Sequence, residues 1–256
     1  MKARRILIAV ALAYAAMCTL LFFKQRDLLY PAPPPLPLSL DIGGQSARVA
    51  FPGGTVPLWY RLVDGAPTAA FFHGNGGQLQ RSVPTGRDAV AAGLGFAAIE
   101  YPGYGMSEGP GPTEEGLLAA ARAGLDHLAS VGVATPVCVG HSLGSGVALA
   151  MAAEQRCAAL VVISAYTSIA DMAQYNYPYV PARWLVLDRF DSLARAASVR
   201  VPTLVLHGRD DTQIPPAMGR SIADAIDGAR FELLDAAHND IVTPELWAIV
   251  AKFVQH

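Results

Sequence analysis

The residues Gly140-His141-Ser142-Leu143-Gly144 set a serine between two glycines in the spacing G-x-S-x-G. A serine hydroxyl becomes a useful nucleophile when a base accepts its proton. The spacing alone is weak evidence, because Gly105-Met106-Ser107-Glu108-Gly109 satisfies it as well. Context separates the two. A nucleophile turn needs a strand running directly into the serine and a helix leaving it, so that the hydroxyl stands above the end of a sheet. The apolar Pro136-Val137-Cys138-Val139 enters Ser142, and Leu143 to Leu149 leaves it with helical character. Ser107 follows its nearest strand by several residues and precedes Pro110-Gly111-Pro112, so no helix is expected to leave the serine directly. Ser142 is therefore the expected nucleophile and Ser107 a loop residue near the mouth of the site.

The base must be a histidine brought to the same sheet end. In sites of this kind the chain order is serine, then acid, then histidine. Of the six histidines, His207, His238 and His256 follow Ser142. His256 is the last residue, and His207 ends a strand before Gly208. His238 lies in Ala236-Ala237-His238-Asn239-Asp240, just beyond the last predicted strand, where parallel sheets gather their ligands. His238 is the expected base. The acid belongs after the preceding strand, where Asp210 and Asp211 both qualify on spacing. An oxyanion hole needs two backbone N–H groups. Leu143, directly after the nucleophile, supplies one, and Asn75 in His73-Gly74-Asn75-Gly76-Gly77 the other.

The elements that must carry these residues alternate. Two short antiparallel strands are expected over 48–51 and 57–63, then strands over 68–73, 95–101, 137–141, 158–163, 203–207 and 230–234. Helices are expected between them, over 79–93, 113–131, 143–155, 217–226 and 244–254. Near-continuous apolar strands alternating with helices imply an α/β fold, a mostly parallel central sheet with helices on both faces. Residues 166–199 interrupt the rhythm and read as a short lid. The lid contributes Tyr166, Tyr175 and Trp184, and with Tyr104 these are the expected substrate-binding residues.

Ahead of this catalytic domain, 46–256, lie two further segments. Residues 1–27 hold an uncharged run from Ile6 to Phe23, close to the roughly 20 residues needed to cross a bilayer. Lys2, Arg4 and Arg5 precede it, and Lys24 and Arg26 follow, a bias that favours a cytoplasmic N-terminus. The expectation is a single-pass signal-anchor with the catalytic domain on the non-cytoplasmic side. Cleavage at Ala13-Tyr14-Ala15, giving a secreted or periplasmic protein, is the alternative. Residues 28–45, with Pro31-Ala32-Pro33-Pro34-Pro35-Leu36-Pro37, read as a proline-rich stalk.

The bulk composition narrows the rest. The chain has 256 residues, is 52% hydrophobic and 16% charged, and carries a formal net charge of -2, which offers no footprint for nucleic acid. Three cysteines, Cys18, Cys138 and Cys157, show no framework or metal spacing, and Cys138 reads as a small core residue. No metal and no organic cofactor is expected.

Taken with Gln25-Arg26-Asp27-Leu28-Leu29-Tyr30-Pro31, Tyr101-Pro102-Gly103-Tyr104-Gly105, Asp188-Arg189-Phe190-Asp191-Ser192-Leu193 and His207-Gly208-Arg209-Asp210-Asp211, these motifs resemble the α/β-hydrolase superfamily. Within it they resemble the membrane-anchored ABHD13/ABHD17-like branch and its bacterial relatives, near the S33 serine peptidases. The resemblance implies the α/β-hydrolase fold. Its pattern H-G-x-x-D-x-x-[VI]-P selects Asp211 over Asp210, completing a Ser142, Asp211, His238 triad. One departure stands out: the family's acidic residue and proline near 164–168 are missing from Ser164-Ala165-Tyr166-Thr167-Ser168. The implied activity is hydrolysis of carboxylic esters or thioesters on a small or lipid-like acyl substrate. An S33-type peptidase, which would need lid acids such as Asp171 and Asp188 to hold an ammonium group, is an alternative. A non-catalytic binding module on the same fold is another.

Overall fold

The computed structural model describes residues 1–36 and 43–255. Eight strands form one sheet: β1 (Gln45–Phe51), β2 (Gly54–Arg61), β3 (Thr68–Phe72), β4 (Gly95–Ile99), β5 (Val137–His141), β6 (Ala159–Ile163), β7 (Thr203–Gly208) and β8 (Arg230–Leu234). Their order is β1-β2-β4-β3-β5-β6-β7-β8. The first three neighbours run antiparallel, and everything from β4 to β8 is parallel. Strands β3, β4 and β6 are buried at every position, which is why they read as unbroken apolar runs rather than alternating ones.

Two apolar layers cover the sheet. On one face α2 (Leu79–Ala91) and α9 (Pro244–Val254) pack through Leu79, Val83, Trp247 and Val250. On the other lie α3 (Glu114–Ser130), α4 (Leu143–Ala153) and α8 (Pro216–Ala225). Helix α4 is apolar all round and almost wholly buried, as a helix with no polar face must be. The starts of α3 and α9 are marked in the sequence by Thr113 and Thr243, whose hydroxyls accept the N–H of Gly116 and Leu246.

Residues 166–199, the segment read as a lid, carry α5 (Ile169–Asn176), α6 (Ala182–Leu185) and α7 (Ser192–Ala196). Ser168 caps α5 by accepting the N–H of Asp171.

Two features differ from the sequence reading. Cys138, read as a lone core residue, is joined to Cys157 by a disulfide, with Cα atoms 5.6 Å apart. Strand β5 carries Cys138, and Cys157 stands just before the neighbouring strand β6, so sheet adjacency brings them together. Their separation of 19 residues carries no such signal.

The second difference is at the N-terminus. Helix α1 (Lys2–Leu29) runs beyond the expected anchor, and its last turns lie against the lid. Tyr30, at its end, is buried in the core. The prolines that follow do not stand off either: the carbonyl of Pro34 accepts from the Gln78 side chain at 3.3 Å, and Gln78 accepts the N–H of Leu36 at 3.3 Å. Residues 37–42 of the expected stalk, and His256, lie outside the described residues.

Candidate active site

Strand β5 ends at His141, and α4 begins at Leu143, leaving Ser142 alone to make the turn. Ser142 has φ 53° and ψ -121°, a conformation that side chains other than glycine's rarely adopt. The turn needs room on both sides. A Cβ at Gly140 would collide with the Gly144 carbonyl, and one at Gly144 would collide with the Phe72 carbonyl. That is the steric content of G-x-S-x-G here. Strain of this kind persists where the surrounding structure over-determines it, and functional sites are where it collects.

Ser142 Oγ lies 3.0 Å from His238 Nε2, and His238 Nδ1 lies 2.7 Å from Asp211 Oδ2. All three are buried. The second carboxylate oxygen of Asp211 accepts the N–H groups of Gln213 at 2.9 Å and Ile214 at 2.8 Å. Burial works against the charge on Asp211. Hydrogen bonds from His207 and His238 and from the Ile214 N–H outweigh it and hold the carboxyl well below the usual range. Asp210 is exposed. His207 donates from Nε2 to the Ile214 carbonyl at 2.9 Å and so braces the loop that presents Asp211. Ser107 sits in a loop with its hydroxyl donating to the Tyr104 carbonyl at 2.6 Å.

Leu143 is the first residue of α4, so its N–H has no partner within the helix. Across from it, Asn75 borders the same cavity. The loop that carries Asn75 is held from below. Tyr101 donates to the His73 carbonyl at 2.8 Å, and Tyr104 to the Asn75 carbonyl at 2.9 Å. Glu100, fully buried at the end of β4, accepts from His73 Nε2 at 2.9 Å and from the Leu79 N–H at 2.9 Å. Tyr104 was expected to touch substrate; it is fully buried, does not line the cavity and instead fixes the Asn75 loop. Glu100 and Tyr101 escaped the sequence reading as site residues. The available signal was a lone carboxylate closing an apolar strand, Gly95-Phe96-Ala97-Ala98-Ile99-Glu100.

His141 was also missed. Its Nε2 donates to the His238 carbonyl at 3.0 Å, and the two rings sit 5.2 Å apart. Burial, then the neighbouring His238, pushes the His141 imidazole down to about 4 from 6.5. A neutral His141 leaves room for positive charge to develop on His238. The same depression makes a stability prediction. Between pH 6.5 and about 4 the unfolded chain takes up a proton here that the folded chain refuses. The stabilisation is therefore complete above pH 6.5 and is lost as pH falls toward 4. Thermal unfolding of His141→Gln should show a shallower fall of Tm across that window than the parent chain. Superimposable slopes would refute the assignment.

Above Ser142 and His238 opens a cavity of about 300 Å³. Tyr166, Ile169, Met172, Tyr177 and Val180 of the lid line one side, and Leu21, Phe22, Leu28 and Leu29 of α1 line another. Tyr166 borders it, and its hydroxyl donates to the Leu143 carbonyl at 3.1 Å. Tyr175 and Trp184 do not: they are 57% and 87% exposed on the outer side of the lid. On α5 the cavity is met by Met172, Ala173 and Asn176, and on α6 by Ala182 and Leu185, which leaves Tyr175 and Trp184 on the outward sides of those helices. The polar neighbours of the cavity are Gln25, Asn75, Asn176 and Gln213, and no Asp, Glu, Lys or Arg lines it among the described residues. No cluster that could hold a metal occurs among the described residues.

A family model described as alpha/beta hydrolase fold matches residues 70–200. An uncharacterized protein of Mycobacterium tuberculosis is 33% identical over 257 residues, covering 96% of this chain and 90% of its own length. The lysophosphatidylserine lipase ABHD12 of Danio rerio is 29% identical over 190 residues; the match covers 65% of this chain and 49% of that protein. Among solved structures, the Pyrococcus furiosus esterase Pf2001 superposes with a TM-score of 0.71 at 17% identity, covering 88% of this chain and 98% of that one.

Proposed function

This chain belongs to the alpha/beta hydrolase fold family, and from that premise we propose that it is a serine hydrolase cleaving carboxylic esters or thioesters of acyl groups. The observation that carries the reading is the pairing of a hydrogen-bonded Ser142, His238 and Asp211 with a cavity whose walls are mainly apolar and free of charged carboxylate, ammonium and guanidinium groups among the described residues.

In this mechanism His238 Nε2 takes the Ser142 proton as Oγ attacks the acyl carbonyl carbon. The carbonyl oxygen becomes an alkoxide facing the N–H groups of Asn75 and Leu143. Asp211 holds the His238 tautomer and stabilises its imidazolium. The C–O or C–S bond to the leaving group breaks as His238 returns the proton to it. Water, deprotonated by His238, then attacks the acyl ester on Ser142, releasing the acid and restoring the serine. The lipase activity in the name of the ABHD12 relative favours a lipid-like acyl group.

A peptidase would need acids facing the cavity. Asp171 is instead paired with Arg183 at 2.8 Å, and Asp188 with Arg26 at 2.9 Å. The test is a panel of p-nitrophenyl esters of rising chain length beside an acyl-CoA and an aminoacyl amide. Turnover of the esters or the acyl-CoA, with the amide untouched, is the expected result. Preference for the amide would turn the reading to a peptidase, and silence on the whole panel to a binding module.

The reading includes placement in a membrane. Helix α1 has a mean hydropathy of 2.5 over an 18-residue window, none of it buried in the protein. The charge bias across it, and a disulfide of the kind that persists in oxidising compartments, both favour a catalytic domain outside the cytoplasm. Carbonate extraction, and alkylation of Cys138 and Cys157 before and after reduction, check the two halves of that statement.

A further inference from the structure

Helix α1 presents one face to the lid. Tyr14, Cys18, Phe22, Gln25 and Leu29 recur at steps of four, four, three and four, the period of a helical stripe facing a neighbour. Its contacts are specific. The Tyr14 hydroxyl donates to the Tyr179 carbonyl at 2.8 Å. Gln25 uses both ends of its amide on the lid backbone: Nε2 donates to the Leu185 carbonyl at 3.2 Å, and Oε1 accepts the Leu187 N–H at 2.8 Å. Arg26 grips both oxygens of Asp188, and Asp188 also accepts the N–H of Glu114 at the start of α3. A mere tether has no need of such contacts.

These contacts seat Leu21, Phe22, Leu28 and Leu29 as one wall of the cavity that ends at Ser142 and His238. Met172, Tyr177 and Val180 face it from the lid. A helix of 28 residues spans about 42 Å, against about 30 Å for a bilayer core. The uncharged run ends at Phe23, so the wall stands at the level where an anchored chain leaves the membrane.

Resting on the serine-hydrolase reading, we infer that the last turns of α1 are part of the acyl-binding site and set which acyl chains it accepts. The chain of the substrate lies between Phe22 and Leu28 on the α1 side and Met172 and Tyr177 on the lid side, running from Ser142 toward the membrane surface. Phe22 and Leu28 are thus specificity-determining residues, although they belong to a segment whose composition speaks only of anchoring.

The experiment uses the full chain in detergent micelles and measures kcat/KM on p-nitrophenyl acetate, octanoate and dodecanoate. Leu28→Trp, which fills the cavity, should lower octanoate and dodecanoate turnover by about tenfold or more while acetate stays within about twofold. Phe22→Ala, which widens it, should move the preference toward dodecanoate. Phe23→Ala, on the exposed side of α1 at 75% exposure, should leave the profile alone. If Leu28→Trp and Phe22→Ala lower acetate and the long esters in step, α1 is only a prop and the inference fails. It fails equally if neither variant moves the profile. In both cases acetate turnover by the parent chain leaves the hydrolase reading intact. A parent chain silent on every ester overturns that reading and this inference with it.

Discussion

Ser142→Ala is expected to lower kcat on a p-nitrophenyl ester by about 10⁶, the scale seen when the triad serine is removed from a serine protease. The size follows from the geometry. Ser142 is the residue of the turn between β5 and α4, its Oγ is 3.0 Å from the only ring nitrogen of His238 not engaged by Asp211, and its backbone is held at φ 53°. Alanine keeps the turn and deletes the attacking oxygen. Labelling by a fluorophosphonate should vanish with it. Ser107→Ala should leave most activity, because the Ser107 hydroxyl is committed to the Tyr104 carbonyl. A Ser142→Ala variant that labelled as well as the parent chain would remove Ser142 from the mechanism.

Asp211→Asn is expected to cost about 10⁴ in kcat, and Asp210→Asn little. The carboxylate at 211 accepts from His238 Nδ1 at 2.7 Å and from two backbone N–H groups, with His207 Nε2 3.4 Å from the oxygen that His238 uses. An amide there places an N–H2 or a neutral oxygen against Nδ1. The first favours the tautomer that protonates Nε2, which cannot take a proton from serine; the second gives no stabilisation to the imidazolium. Asp210, one residue away, is exposed and meets the site only through its backbone, whose N–H donates to the Ala236 carbonyl at 3.1 Å. Steady-state kinetics of the two variants decide the matter: a larger loss at 210 would transfer the role.

The parts of this chain that were readable from sequence are those in which local pattern and tertiary demand coincide. Strands β3 to β7 announce themselves because burial on both faces leaves few polar positions. Ser142 stands out because strand, turn and helix follow one another without a break. Asp211 was separable from Asp210 only through the family pattern, since both sit in one short loop and the distinction lies in which carboxylate the backbone turns inward. The hidden features are those made by distant segments. Cys138 and Cys157 meet because β5 and β6 are neighbours, a fact of sheet order. Glu100 and His141 act on loops that begin far along the chain. Tyr175 and Trp184 were chosen by type, whereas which side of a short irregular lid a residue faces depends on turns that periodicity does not encode.

Helix α1 bears on how proteins of this kind can be rearranged. Membrane anchors are commonly exchangeable parts, an address attached to a machine that works without it. In the proposed reading address and machine share residues: the amide of Gln25 and the guanidinium of Arg26 hold the lid, and Leu21, Phe22, Leu28 and Leu29 complete the cavity. Exchanging residues 1–29 for an unrelated transmembrane helix should preserve delivery to the membrane and yield an enzyme with a different appetite. On this proposal, substitutions along one stripe, Tyr14 to Leu29, change that appetite, whereas apolar exchanges on the remaining faces leave it alone.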